Sequence, residues 1–145
     1  MTIGPESRAR RVGRLVLTAA YAAAGVLHLA KPAPFLSVTP DWVPQPERVI
    51  ALTGMAELLG AIGLLQARSL RWRRYAGWGL ALYALCVWPA NFHHMQIDMA
   101  RLAHGAGPAL GLSYHVPRLL AQPLIIWWAL WASGAVEKRS AAVPR

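Results

Sequence analysis

Glu57 is the residue that most constrains a chemical reading of this chain. It stands in "GMAELLGAIGLL" and is the one carboxylate deep inside an apolar run of the 145-residue sequence. A charge in such a run is expensive, so the group is either paired or functional. A protonated acid acting as a hydrogen-bonding contact between helices is the structural alternative. Other polar residues fall at the ends of neighbouring runs: His28 in "GVLHLA", and Asn91, His93 and His94 in "VWPANFHHMQID". On a helix Val87, Asn91, His94 and Asp98 share one face, while His93 points away from Asn91 and reads as an interface residue. A histidine donor beside a carboxylic acid suits a ligand that accepts hydrogen bonds and exchanges protons. His28, Glu57, Asn91 and His94 are therefore the candidate ligand-binding or proton-relay residues. Pro89 removes a backbone donor and should break the ladder one turn earlier. Asn91 then has a second reading, as the residue that bonds the freed carbonyl.

Other chemistries find less support. His94 and Asp98 are four apart and His28 could join them, but there is no HExxH, no E-x-x-H and no cysteine pair, so no metal site is expected. Paired axial histidines for a haem would have to lie inside a bundle, and His28 and His94 fall near its surface. No residue is assigned a catalytic role. Cys86 is the single cysteine; it forms no internal disulfide and is expected to be a small packing residue.

The elements that must position these residues follow from hydrophobicity. The chain is 56% hydrophobic and 14% charged, yet its formal net charge is +9, and its mean hydropathy is +0.34. The charges cluster between long, nearly uncharged runs, as in a polytopic membrane protein. A basic pI also fits nucleic-acid binders, but here the basic residues bracket apolar segments, and no nucleic-acid partner is expected. Four segments, at about 12–30, 49–67, 75–95 and 117–136, each approach the ~20 residues that span a bilayer as a helix. The expected fold is all-α: one domain, a four-transmembrane-helix antiparallel bundle. Glu57, eight residues in from Val49, would lie about 12 Å below the outer surface. Small residues four apart, such as Ala19 and Ala23 or Ala56 and Gly60, favour close helix packing.

Lys and Arg set the orientation. Arg8, Arg10, Arg11, Arg14, Arg68, Arg71, Arg73, Arg74, Lys138, Arg139 and Arg145 fall at one end of the alternating segments. Lys31, Arg48, Arg101 and Arg118 fall at the other. The positive-inside rule places both termini in the cytoplasm. All five histidines and Glu57 then lie in the outer half, which suggests one polar cavity open to the outside. Arg8 to Arg14 followed by "AAAG" also has the form of a signal peptide; a retained first helix is preferred because the apolar run continues through Leu29. The outer loop Lys31 to Arg48 holds five prolines and is expected to be a stiff cap without helical period. The outer loop Gln96 to His115 is Gly-rich and is expected to fold over the bundle mouth.

These residues resemble a known family. "GVLHLAKPAPFL", "PDWVP", "GMAELLGAIGLL" and "RRYAGWGLALYALCVWPANFHHM" are similar to the DoxX family of small four-helix membrane proteins, over roughly residues 21–95. His28, Pro32, Phe35, Gly54, Glu57, Gly60, Pro89, Ala90 and Asn91 occupy its motif positions. The resemblance implies a bacterial inner-membrane protein and an association with quinone-linked redox complexes. It carries no assigned activity for most members of this subtype, and the chain lacks cysteines for thiol redox chemistry of its own.

The expected function is a redox-associated subunit, more a non-catalytic component than an independent enzyme. It would hold a quinone or similar small apolar ligand, with electrons supplied by a partner protein. A non-enzymatic lipid-binding protein or assembly factor is the second reading. A small transporter is the third, weakened by the single buried carboxylate and the lack of a repeat.

Overall fold

The computed structural model describes residues 6–136. Four long helices and one short one make up the fold, and no strand occurs among the described residues: α1 (Arg8–Ala30), α2 (Ala33–Leu36), α3 (Pro46–Leu65), α4 (Leu70–His104) and α5 (Leu112–Ser133). The architecture is all-α, as expected. Ser7 caps α1 by accepting from the Arg10 N–H, and Pro46 opens α3 at a position where a missing donor costs nothing. Gly105, at φ 63°, ends α4 in the left-handed conformation that glycine adopts without strain.

The helices close a ring in which α1 packs on α3, α3 on α4, α4 on α5 and α5 on α1. Polar contacts show the alternation of direction. At one end Arg14, early in α1, donates to Leu64 O late in α3 (2.9 Å), and Arg74, early in α4, donates to Gly134 O just past α5 (2.8 Å). Neighbours are thus antiparallel. Glu6 ties this end together, pairing with Arg14 at 2.9 Å and approaching Arg73 at 3.6 Å. The core is built from Leu17, Tyr21, Ala61, Leu64, Leu80, Ala81, Ala129 and Ala132. Half of these are alanines, which let the helix backbones approach. Glycine does the same where α1 crosses α3. A methyl group on Gly54 would meet His28 Cβ at 2.9 Å and Gly25 O at 3.0 Å.

By length and composition, α1 and α3 are each apolar enough to cross a membrane. Large apolar side chains point outward from all four long helices, among them Val16, Leu59, Leu82 and Leu124.

Several expectations change. The third segment does not end at Met95: α4 continues to His104, for 35 residues. The second outer loop is correspondingly shorter. Pro89 lies inside α4 without ending it, since a proline in a long helix can be carried by tertiary support. The proline-rich loop, expected to lack helix, contains the single turn α2, with Pro32 and Pro34 at its start where their fixed φ suits a first turn. Cys86 is exposed rather than packed inside.

Candidate functional site

The close α1–α3 crossing brings His28 and Glu57 together. Glu57 is 4% exposed, and its Oε2 lies 2.8 Å from His28 Nδ1. That ring nitrogen also lies 2.9 Å from the Ala24 carbonyl. A carbonyl only accepts, so Nδ1 carries a proton and donates to Ala24. The same alignment leaves Glu57 Oε2 buried without a well-directed donor. Its other oxygen, Oε1, accepts from the Tyr83 hydroxyl at 2.8 Å. Tyr21 packs edge-on against Tyr83 with ring centroids 6.2 Å apart. Phe35, delivered by the α2 turn, stacks on the His28 imidazole at 3.7 Å. The proline-rich cap therefore holds one of the site's side chains.

Two cavities meet at this group. The first, about 260 Å³, is lined by His28 and Asn91 together with cap residues including Phe35, Trp42 and Val43. The second, about 400 Å³, is lined by Glu57, Asn91 and Gln122 among apolar residues of α1, α4 and α5. Tyr83, Val87, Asn91 and Arg118 belong to both walls. Asn91 is buried, and its Nδ2 donates to Gln122 Oε1 at 3.4 Å. Gln122 Nε2 donates in turn to the Ala84 carbonyl at 2.6 Å. Asn91 thus serves an α4–α5 contact; the carbonyl that Pro89 deprives of a donor is that of Leu85, next to the Ala84 carbonyl that Gln122 bonds.

His94 does not join the other three. It belongs to a second cluster, centred on Asp98. Asp98 is 2% exposed, and its Oδ2 faces the Leu110 N–H at 3.2 Å, His115 Nε2 at 3.0 Å and His94 Nε2 at 3.3 Å. Arg101 NH1 lies 3.6 Å from the other oxygen. Burial raises the Asp98 carboxyl, but the Leu110 N–H and the two histidines outweigh it and hold the group below its ordinary range. Arg118 links the clusters through a 2.9 Å contact from NH1 to His94 Nδ1.

His94, Asp98 and His115 present ligating atoms within 4.8 Å of one another. His115, rather than His28, completes that set. The hydrogen-bond directions do not fit a bound divalent ion. A guanidinium only donates, so His94 Nδ1 accepts, and Nε2 carries the proton and cannot be a ligand. Arg101 beside the carboxylate and Arg118 on His94 oppose a further cation as well. The cluster reads instead as a carboxylate that orients two imidazoles.

Tyr83, Asp98, His115, Arg118 and Gln122 enter these clusters without having been site candidates. Tyr83 carried a signal, since Tyr83, Val87 and Asn91 are successive residues four apart on one helix face. Arg118 and Gln122 had none, because their roles depend on how α5 is rotated against α4. Comparison with curated proteins and with solved structures produced no match. The family model described as "Domain of unknown function (DUF8561)" matches residues 17–133, a span that contains both cavities and the carboxylate cluster. On that match the chain belongs to the DUF8561 family.

Proposed function

We propose that the protein is a DoxX-like, four-span subunit of the bacterial inner membrane that holds a quinone- or lipid-like ligand between its helices. Both termini lie on the cytoplasmic side in this reading. The outward-facing apolar side chains on α4 and α5 as well as on α1 and α3 support four crossings. Tryptophan, tyrosine and proline lower the hydropathy of the last two helices, although tryptophan is at home at the membrane interface. The arginine-rich end, clasped by Glu6, is the cytoplasmic one.

The observation that carries the ligand reading is Glu57 Oε2. It is buried without an aligned donor, in a carboxyl that lines an apolar cavity. A buried acceptor left in this state invites a ligand hydroxyl or a proton. Residue roles follow from the geometry. Tyr83 fixes the orientation of the carboxyl through Oε1. His28, its Nδ1 between the Ala24 carbonyl and Glu57, forms part of the wall of the first cavity. Asn91 and Gln122 hold α4 against α5 between the cavities. A bound quinone would supply the redox chemistry, and electrons would come from a partner protein.

The test is mass spectrometry of an organic extract from protein purified in mild detergent. The wild type should carry a stoichiometric apolar ligand, and Glu57→Gln should carry several-fold less. Equal ligand content in the two samples would remove Glu57 from the site.

A second reading, a non-enzymatic lipid-binding or assembly role, is favoured by a different feature. A groove of about 980 Å³ between α1 and α5 is lined by Val12, Val16, Leu124, Trp127, Trp128 and Trp131 among others. Its apolar lining suits acyl chains. Phospholipid as the sole stoichiometric component of the extract would favour this role over a redox one.

A further inference from the structure

Arg118 stands in the wall shared by the two cavities, and among the described residues its charge is not matched by a carboxylate. Asp98 is occupied by His94, His115, Leu110 and Arg101. Glu57 faces His28 and Tyr83, and Glu6 is at the opposite end of the bundle with Arg14 and Arg73. Among the described residues, the contacts of the Arg118 side chain are a hydrogen bond to a neutral imidazole and the Tyr114 ring, 5.9 Å from the guanidinium carbon. A half-buried cation beside an apolar cavity is costly without an anion.

The guanidinium is also held in place. His94 Nδ1 accepts from Arg118 NH1, so its proton sits on Nε2, the nitrogen 3.3 Å from Asp98 Oδ2. Asp98 is itself anchored by the Leu110 N–H and by fully buried His115. With NH1 engaged there, Nε and NH2 are available to a ligand. Two guanidinium donors side by side match a carboxylate better than a single carbonyl. Around them, Val38, Val43 and Val49 line one cavity and Leu17 and Ile125 the other. The combined lining suits a chain-like apolar tail ending in a charged head, and both cavities are in the size range of ligand sites.

We infer that Arg118 is the headgroup anchor of the site, and that the ligand is an amphipath with an ionised carboxylate head, such as a long-chain fatty acid. This rests on the ligand pocket proposed above and narrows its occupant. The carboxylate pairs with Arg118 at the partition, and the tail occupies the apolar part of a cavity. His94 and Asp98 act as positioning residues for the anchor.

The experiment measures binding to the full-length protein in an uncharged detergent. Palmitate, hexadecanol and a decyl-substituted benzoquinone are the probes. Palmitate should bind the wild type about tenfold or more tighter than hexadecanol, which has the same tail and no charge. Arg118→Gln should abolish that preference, while Arg118→Lys should retain part of it. Equal affinities of the wild type for palmitate and hexadecanol would overturn the anchor without relying on any variant. Retention of the preference in a folded Arg118→Gln protein would overturn it too. If hexadecanol and the benzoquinone bind with no gain for palmitate, the anchor falls while the pocket stands. Failure of all three probes to bind would remove the pocket as well.

Discussion

Glu57 and Tyr83 show how a single hydrogen bond defines the polar centre of the bundle. The Tyr83 hydroxyl is the directed donor to Glu57, and its ring also packs on Tyr21. Tyr83→Phe keeps the ring contact and removes the donor, leaving both carboxyl oxygens without a directed partner. The expected loss is about 1–3 kcal/mol of stability in the ligand-free protein, measured by thermal unfolding in detergent. Asp98 offers a test with a defined pH window. Its folded-state pKa is depressed, so its contribution is present above the unfolded value of about 4 and is lost as pH falls through the folded value. Asp98→Asn should lower stability by roughly 1–3 kcal/mol at neutral pH, because a neutral amide weakens the bonds from Leu110 and His115 and loses the charge facing His94 and Arg101. It should also flatten the acid limb of the stability profile below about pH 4. An unchanged acid limb would mean that other carboxylates dominate it. Glu57 and His28 were legible as single residues because a charge and an imidazole in apolar runs stand out. Arg118 was not, since an arginine at the edge of an apolar segment looks the same whether it meets water or a cavity.

At the scale of the element, helix approach decides whether the site exists. Gly54→Ala places a methyl group against His28 Cβ and the Gly25 carbonyl. It should destabilise by roughly 1–3 kcal/mol and reduce ligand content by moving α1 away from α3. Gly79 has open space around its Cα. Gly79→Ala should therefore be neutral or stabilise by up to about 1 kcal/mol through helix propensity. Equal effects of the two substitutions in thermal unfolding would rule out the crossing as the cause. Helix α4 adds a second lesson. At about 1.5 Å per residue its 35 residues extend roughly 52 Å, beyond the ~30 Å hydrocarbon core. In the proposed four-span arrangement the extra turns would carry Asp98 and Arg101 beyond the apolar layer, where the carboxylate cluster meets α5. Polar composition after Met95 concealed this extension, because an amphipathic continuation in water and a loop look alike without their partners.

For the whole molecule, the charge distribution and the position of the cavities make one arrangement. The end that gathers Glu6, Arg14, Arg73 and Arg74 opposes the end that gathers the histidines and Asp98. Topology is checked with carboxy-terminal fusions in a bacterial host. A green fluorescent protein fusion should be fluorescent and an alkaline phosphatase fusion inactive, as both ends are expected in the cytoplasm. An active phosphatase fusion would invert the proposed orientation.

The sequence by itself determined the helical class, the number of long helices and the segregation of basic from histidine-rich ends. These depend on hydrophobic run length and on charge, which are local properties of the chain. It also marked His28, Glu57 and Asn91 as polar residues needing partners. Tertiary structure decided which partners they found. Glycines at one crossing bring His28 to Glu57, Tyr83 reaches the carboxyl from α4, and Gln122 meets Asn91 from α5. His94 was drawn instead to Asp98 and Arg118. These pairings depend on the rotation and depth of one helix against another, set by small residues and side-chain packing spread over the bundle.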